Sequence, residues 1–455
     1  MSGALSFGRG LLEPLWRYPQ TITVLASLPL DQVGSTVANV KAARDELGLD
    51  QLESLHFFRI IVVDEEPDLR GRMLPPRLIV SAVYDGRMAE FLRALVHVAG
   101  ERLRLILEHC DGFPVGGGPD DVEAWLRQHA ERAKTLHIGT FRDKLDFIKE
   151  EYRLRLAIGS YVDRRHTAGD WIDGDVVAIR RDIQGFVRAQ GDLPHGLRQG
   201  VPWWLRLLET LDLLRIVVML TFLPMVLACL NVWWFGCSWW YLSWLTPMIF
   251  LLLIGLYFLV VRMYELTEGD LVTRPKAGHV AALVEEEDFG IQNQFTMLST
   301  VRESWFRRLN LRFVLFLANG FSKHWYRRGQ LAGIDTIHFA RIHLIDRGRR
   351  LLFMSEFDGG WERYLFDFLG VGSFAVVPIW TNLHGCPKTR FLLSATKGFS
   401  QRFLPFTRAN QRQTNVWYSA IDHLTVAEIL RNAEIRAGLF GWRSRAGIEK
   451  WLQLI

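Results

Sequence analysis

The apolar positions fall into three regimes along the chain. In the first part, Thr21–Leu28, 54–63 and 77–84 are short β-rich runs. Gln32–Leu47 and Arg87–His109 instead carry apolar residues at three- and four-residue spacing, the period of a helix with one buried face. Thr135–Thr140 reads as a further strand, so residues 1–160 predict the order βαββαβ. Asp31 stands where it would cap the first helix. The same order recurs over 291–455. Strands are expected at Gln292–Thr300, 335–345, 350–357 and Val416–Ala420, with helices around Ser304–Arg328 and over 361–369. A charged helix follows each last strand, Phe141–Ile158 in one part and Thr425–Leu439 in the other.

Between these parts the pattern changes. From Ile216 to Val261 there is no charged residue, with Arg215 and Arg262 closing the stretch. As helix it would be about 70 Å long, roughly twice a bilayer core, which predicts two spans near 211–232 and 242–262. The turn between them, Asn231–Tyr241, is rich in Trp and contains Gly236; such rings favour the headgroup level. Pro224 and Pro247 fall inside the spans. Arg198, Arg206 and Arg215 precede the hairpin, Arg262, Arg274 and Lys276 follow it, and the turn has no basic residue. The positive-inside rule then places a multi-pass protein in the inner (cell) membrane with both termini cytoplasmic. Pro202–Arg206 would lie in the interface. The competing reading is two buried core helices of a large soluble fold. The expected division is 1–160, a linker over 161–210, the hairpin over 211–262, a linker over 263–290, and 291–455.

The outer parts also share residues in order. Leu55-His56-Phe57-Phe58-Arg59-Ile60 matches Ile337-His338-Phe339-Ala340-Arg341-Ile342. The strand 77–84 leads to Asp85-Gly86 as 350–357 leads to Asp358-Gly359, and Gly112-Phe113-Pro114 matches Gly385-Cys386-Pro387. This is the mark of an internal duplication. Two βαββαβ units of this kind are ferredoxin-like; packed sheet against sheet they would give an α+β fold, a pseudo-dimeric α+β barrel with the hairpin inserted between the units.

Composition narrows the classes of function. The 455 residues are 49% hydrophobic and 23% charged, so the chain is neither disordered nor fibrous. A net charge of +5 gives no support for nucleic-acid binding. Four dispersed cysteines, with no CxxC, exclude a disulfide scaffold and fit a reducing compartment. The first residues lack an apolar core long enough for a signal peptide. There is no GxxxxGK[ST], HExxH, GxSxG or GxGxxG after a strand. The acidic residues Asp163, Asp170, Asp173 and Asp175, and the run Val284–Asp288, read as solvated loops. The basic positions Arg307, Arg308, Arg312, Lys323, Arg327 and Arg328 read as a solvated helix face or a contact to anionic headgroups.

Asn293–Thr296, Ile337–Arg341, Phe357-Asp-Gly-Gly-Trp-Glu362, Trp417–Ser419 and Asn432–Arg436 carry a resemblance to a largely uncharacterised group of bacterial membrane-anchored proteins. That group is distantly similar to the dye-decolourising (Dyp-type) haem peroxidases, which are also duplicated ferredoxin-like chains. Their Gly-x-x-Asp-Gly motif corresponds here to Ser355–Gly359 and Ala82–Gly86, both without the leading Gly. The resemblance implies Asp358 and Arg341 as catalytic candidates and haem as the cofactor to consider. His338, His56, Asp85 and His384 are the candidate ligand-binding residues, with His97 a further axial candidate. Each has a structural alternative. The histidines would hydrogen-bond locally at strand ends, on the face opposite Arg59 and Arg341 by alternation. Asp85 and Asp358 would cap the helix that follows them. His384 beside Cys386, and His109 beside Cys110, would be turn residues. No metal site is assigned. The expected function is a membrane-anchored cytoplasmic module that binds an apolar, lipid-like ligand or a membrane-protein partner at the lipid bilayer, without catalysis. The alternative is a haem-dependent peroxidase-like oxidoreductase.

Overall fold

The computed structural model describes residues 19–455 except 141–142, 170, 172–174, 199–202, 237–238, 270–271, 325–329, 332 and 371–372. Of the residues weighed above, the N-terminal segment and Asp170, Asp173, Pro202, Cys237, Arg327 and Arg328 lie outside the described residues, as do the side chains of Arg206, Arg215 and Lys323.

The fold is mixed α/β with antiparallel sheets. The first half contributes β1 (Gln20–Ser27), α1 (Val33–Ala43), β2 (Leu55–Val63), β3 (Arg77–Tyr84), α2 (Met88–Leu107), α3 (Pro119–Gln128) and the two-residue β4 (Ala130–Glu131). β5 (Thr135–Ile138), α4 (Leu145–Thr167) and α5 (Val176–Ala189) follow, then the long helices α6 (Trp203–Phe235) and α7 (Leu242–Thr267). The second half brings β6 (Gln292–Thr300), α8 (Trp305–His324), β7 (Ile337–Ile345), β8 (Arg350–Asp358), α9 (Trp361–Leu369), α10 (Ser373–Trp380) and α11 (Phe399–Asn410). It closes with β9 (Val416–Ser419), α12 (Val426–Phe440) and α13 (Arg445–Leu452). Asp31 does not cap the first helix: it sits in a 3-10 turn, and the cap position is Gln32 without a side-chain bond.

The strands form two main sheets, ordered β9-β2-β3-β1-β4 and β5-β7-β8-β6. The expected last strands do not close their own halves. β5 crosses to β7, with Thr135 opposite Ile342 and Ile138 opposite Phe339. β9 crosses to β2, with Val416 opposite Ile60 and Ser419 opposite Phe57. Within its own half each chain segment touches the first strand only briefly, through β4 on β1 and a bridge between Gln411 and Met297. A period of two marks a segment as strand but carries no information about which sheet edge receives it.

The sheets pack face to face. Leu25, Ile61, Val63 and Ile79 meet Leu298, Ile345, Leu352 and Met354, and Phe57 meets Phe339. The outer faces bury Val24, Phe58, Ile60 and Val80 under α2 and α3, and Phe295, Phe353 and Phe357 under α8, α9 and α11. A separate helical core, with Leu154, Ile158, Ile183, Val187, Ile435, Leu439 and Trp451, ties α4 and α5 to α12 and α13.

Within α6 and α7, Ile216–Phe235 and Trp244–Thr267 are long and apolar enough to cross a membrane. Only 17% and 6% of these windows are buried, whereas core helices of a soluble fold would be enclosed. α7 is docked by two carboxylates at its end. Glu265 accepts bonds from Thr389 Oγ1 (3.0 Å) and from the amides of Phe391 and Leu392 (2.9 Å each). Both residues hold positive φ, 55° and 60°, so the loop curls left-handed around the carboxylate. Glu268 is gripped by Arg307 (2.7 Å) and Arg302 (3.2 Å).

Gly139 ends β5 where its amide bonds the His338 carbonyl at 2.7 Å, and a Cβ there would overlap the Ile337 carbonyl oxygen. Gly139→Ala is therefore expected to prise β5 from β7 at a cost of about 1–3 kcal/mol. The expected readout is a lower thermal midpoint and faster amide exchange over Phe339–Ile342; an unchanged midpoint would contradict this packing.

Candidate functional site

Between the sheets, where apolar packing is the rule, three charged side chains meet. Arg59 reaches from β2 to the Glu356 carboxylate on β8, with further bonds to Thr296 Oγ1 (2.8 Å), the Phe295 carbonyl (3.1 Å) and the Ser355 carbonyl (2.9 Å). Arg341 on β7 chelates the same carboxylate at 2.9 and 3.0 Å and bonds Ser81 Oγ at 3.0 Å. All three side chains are fully buried. Burial alone would raise the Glu356 pKa, but Arg341 and Arg59 together hold it below the ordinary carboxylate value. Burial lowers Arg59 to about 10 against the opposing pull of Glu356. Sequence reasoning named Arg341 and missed Glu356. The available signal was an ionisable residue inside the apolar run Leu351–Phe357, at the position that Val83 fills in the first half.

Strict alternation does not hold for the histidines, because a bulge interrupts each strand. Register shifts between Leu55 and Phe57, and opposite Glu356 and Phe357, leave His56 and His338 as extra residues. A bulged residue leaves the period of two. Both rings therefore reach the inter-sheet side, His56 against Phe339 at 6.0 Å and His338 against Phe57 at 5.5 Å between centroids. His338 Nε2 bonds Asp358 Oδ1 at 2.6 Å, and His56 Nε2 lies 3.1 Å from Asp85 Oδ2.

Asp85 and Asp358 are helix caps, but not of the helices that follow them. Asp85 Oδ2 accepts the Leu145 amide at the start of α4, and Asp358 Oδ2 accepts the Val426 amide at the start of α12, each at 2.7 Å. The helices expected to be capped, α2 and α9, start at Arg87 and Gly360 without a side-chain bond from the cap residue. Each Asp thus fastens the helix that leaves a crossing strand, which the linear order of residues hides.

Asp358 and Arg341 are not brought together: each is committed to its own partner, and neither faces an open site. His384 is half-buried in a small hollow with Glu268, Arg302 and Ser304, and burial lowers its pKa, with Arg302 adding to the effect. Its turn is pinned by Arg302, which donates to the Leu383 and Cys386 carbonyls. Cys110 is buried, and its thiol is pushed up to about 12, far from a reactive thiolate. Haem does not fit these residues. His338, the partner of Asp358, packs on Phe57, which packs on Phe339; both Asp358 oxygens are bonded, and His97 lies exposed on α2. Among the described residues no group of three His, Cys, Asp or Glu is placed to hold a metal.

The open space lies elsewhere, between the hairpin and the second sheet's helix layer. A cavity of about 730 Å³ is walled by Leu223 and Pro224 of α6, Phe250 and Ile254 of α7, and Phe313 and Leu317 of α8, with Ala340 at its floor. Among the described residues its lining is apolar except for Thr135, His137, Tyr257 and Ser322, and the indole of Trp380. The three hydroxyls already donate: Thr135 to the Leu315 carbonyl, Ser322 to the Leu136 carbonyl, and Tyr257 to Asn310 Oδ1. Sequence reasoning did not single out His137, whose strand looked like any other edge.

Glu356→Gln would leave two guanidinium groups facing each other without a counter-charge. We expect a loss of about 3–5 kcal/mol in stability, measured by denaturation of the solubilised protein, and partial recovery when Arg59→Met is added. A neutral Glu356→Gln would show that the cluster does not hold the sheets.

Comparison with protein-family models, with curated proteins and with solved structures finds no match to this chain.

Proposed function

We propose that the protein is a membrane-anchored module that binds an apolar, lipid-like molecule in the cavity between its helical hairpin and its sheet body. The observation that carries this reading is the cavity itself. An apolar space of about 730 Å³ falls within the range of small-molecule sites, and two of its walls belong to the helices long enough to cross a membrane. A hydrophobic molecule in the bilayer would meet those helices first. In this reading the two halves are ferredoxin-like units descended from one duplication, packed as an α+β barrel. The strand exchange and the paired His–Asp–helix arrangements support it. The interior of that barrel is filled by side chains, so the ligand site has moved outside it. The hairpin crosses the inner membrane twice, with both sheets on the cytoplasmic side, because the basic residues flank the hairpin and avoid its turn.

Two measurements test this. Protein extracted from membranes should carry a co-purifying lipid-like mass in native mass spectrometry, and Ala318→Trp, which fills the cavity from α8, should lose most of it. A wild-type protein that carries no such mass and takes up no added 16-carbon lipid would refute the reading. For topology, Ser238→Cys with Cys237→Ser should react with an impermeant maleimide from outside the inner membrane. Reaction only from the cytoplasmic side would reverse the orientation.

A further inference from the structure

The cavity wall contains a polar group with nothing to bond. His137, on β5, is 2% exposed, and neither Nδ1 nor Nε2 has a hydrogen-bond partner among the described residues. Its neighbours along the wall do not serve it: Thr135 and Ser322 donate to backbone carbonyls, and neither bonds the ring. Trp380, on α10, is likewise buried with its Nε1–H unpartnered among the described residues. A buried polar group left unpaired costs about 1–3 kcal/mol, so native interiors rarely keep one without a use.

We propose that the cavity takes an apolar chain bearing one uncharged oxygen function, a carbonyl or hydroxyl, which hydrogen-bonds to His137. The inference rests on the apolar-ligand reading above and specifies the chemistry of the ligand. A neutral imidazole offers one donor and one acceptor, so it serves a carbonyl or a hydroxyl equally. The Trp380 indole only donates, which also favours an oxygen acceptor on the ligand. Among the described residues the lining has no Lys or Arg to balance a carboxylate or phosphate head. The imidazole supplies no positive charge either: burial lowers His137 to about 4, leaving it neutral near pH 7. The molecules that fit are fatty alcohols, fatty esters and long-chain ketones or quinones. Fatty acid anions and phospholipid headgroups do not.

The test uses the full chain in nanodiscs and a hexadecanol probe with a chain diazirine. Photolabelled peptides are read by mass spectrometry while hexadecanol, hexadecane or hexadecanoate competes. Labelling should fall on Phe313–Phe321 and Phe250–Phe258, with hexadecanol competing roughly tenfold better than hexadecane, as one hydrogen bond predicts. His137→Leu should keep the labelling but bring that ratio close to one, while His137→Gln should retain most of it. The thermal midpoint of His137→Leu should not fall, since a buried unpaired group is removed. An equal ratio in wild type and His137→Leu, or hexadecanoate competing as well as hexadecanol, would overturn this inference and leave the apolar site standing. No labelling of these helices at all would overturn the binding reading itself.

Discussion

A sheet edge in the interior has backbone groups that must be paired, and here one edge of each sheet is paired by the other half of the chain. β5 completes the second sheet along β7, and β9 completes the first along β2. Unpaired edge amides and carbonyls would otherwise cost free energy or recruit another chain. The rest of the body is arranged around this exchange. The strands that cross carry α4 and α12 to the far side, where Asp85 and Asp358 hold the starts of those helices. The faces so brought together bury Arg59 and Arg341, which Glu356 then has to neutralise.

The polar end of the hairpin is held by residues of the second half. Glu265 in the left-handed loop and Glu268 between Arg302 and Arg307 fix the end of α7, and Tyr257 ties it to Asn310 of α8. α8 touches α7 at this end, where Tyr264 also stacks on Phe306, and the cavity opens beside these contacts. A cavity of this kind is a product of packing between elements, and it needs no motif in the sequence.

Much of the architecture was legible because it is local. β6 and α9 have the bounds that the pattern predicted, since alternation and helical spacing are read within one segment. The hairpin was legible from its missing charges, and its helices extend beyond the predicted spans because helix continues past the apolar core. What the sequence hid is long-range. Nothing in Thr135–Ile138 names Ile342 as its neighbour, and nothing in His56 announces a bulge that turns it from the helix side to the inter-sheet side. His137 was invisible for the same reason: its lack of partners is a property of the space around it.

The exchange also bears on how the chain is made. Val62 on β2 bonds Asn415, 353 residues further on. At roughly 5–20 residues per second, synthesis reaches that segment on the order of 20–70 seconds after Val62 has left the ribosome. Throughout that interval the hairpin is emerging while the outer edge of β2 stands open. Such an edge is the kind of surface that pairs with a stray strand, and loop closure over this distance is slow. A chain stalled after the hairpin would be left with one sheet unsealed along β2, because the strand that closes it is the last to be made.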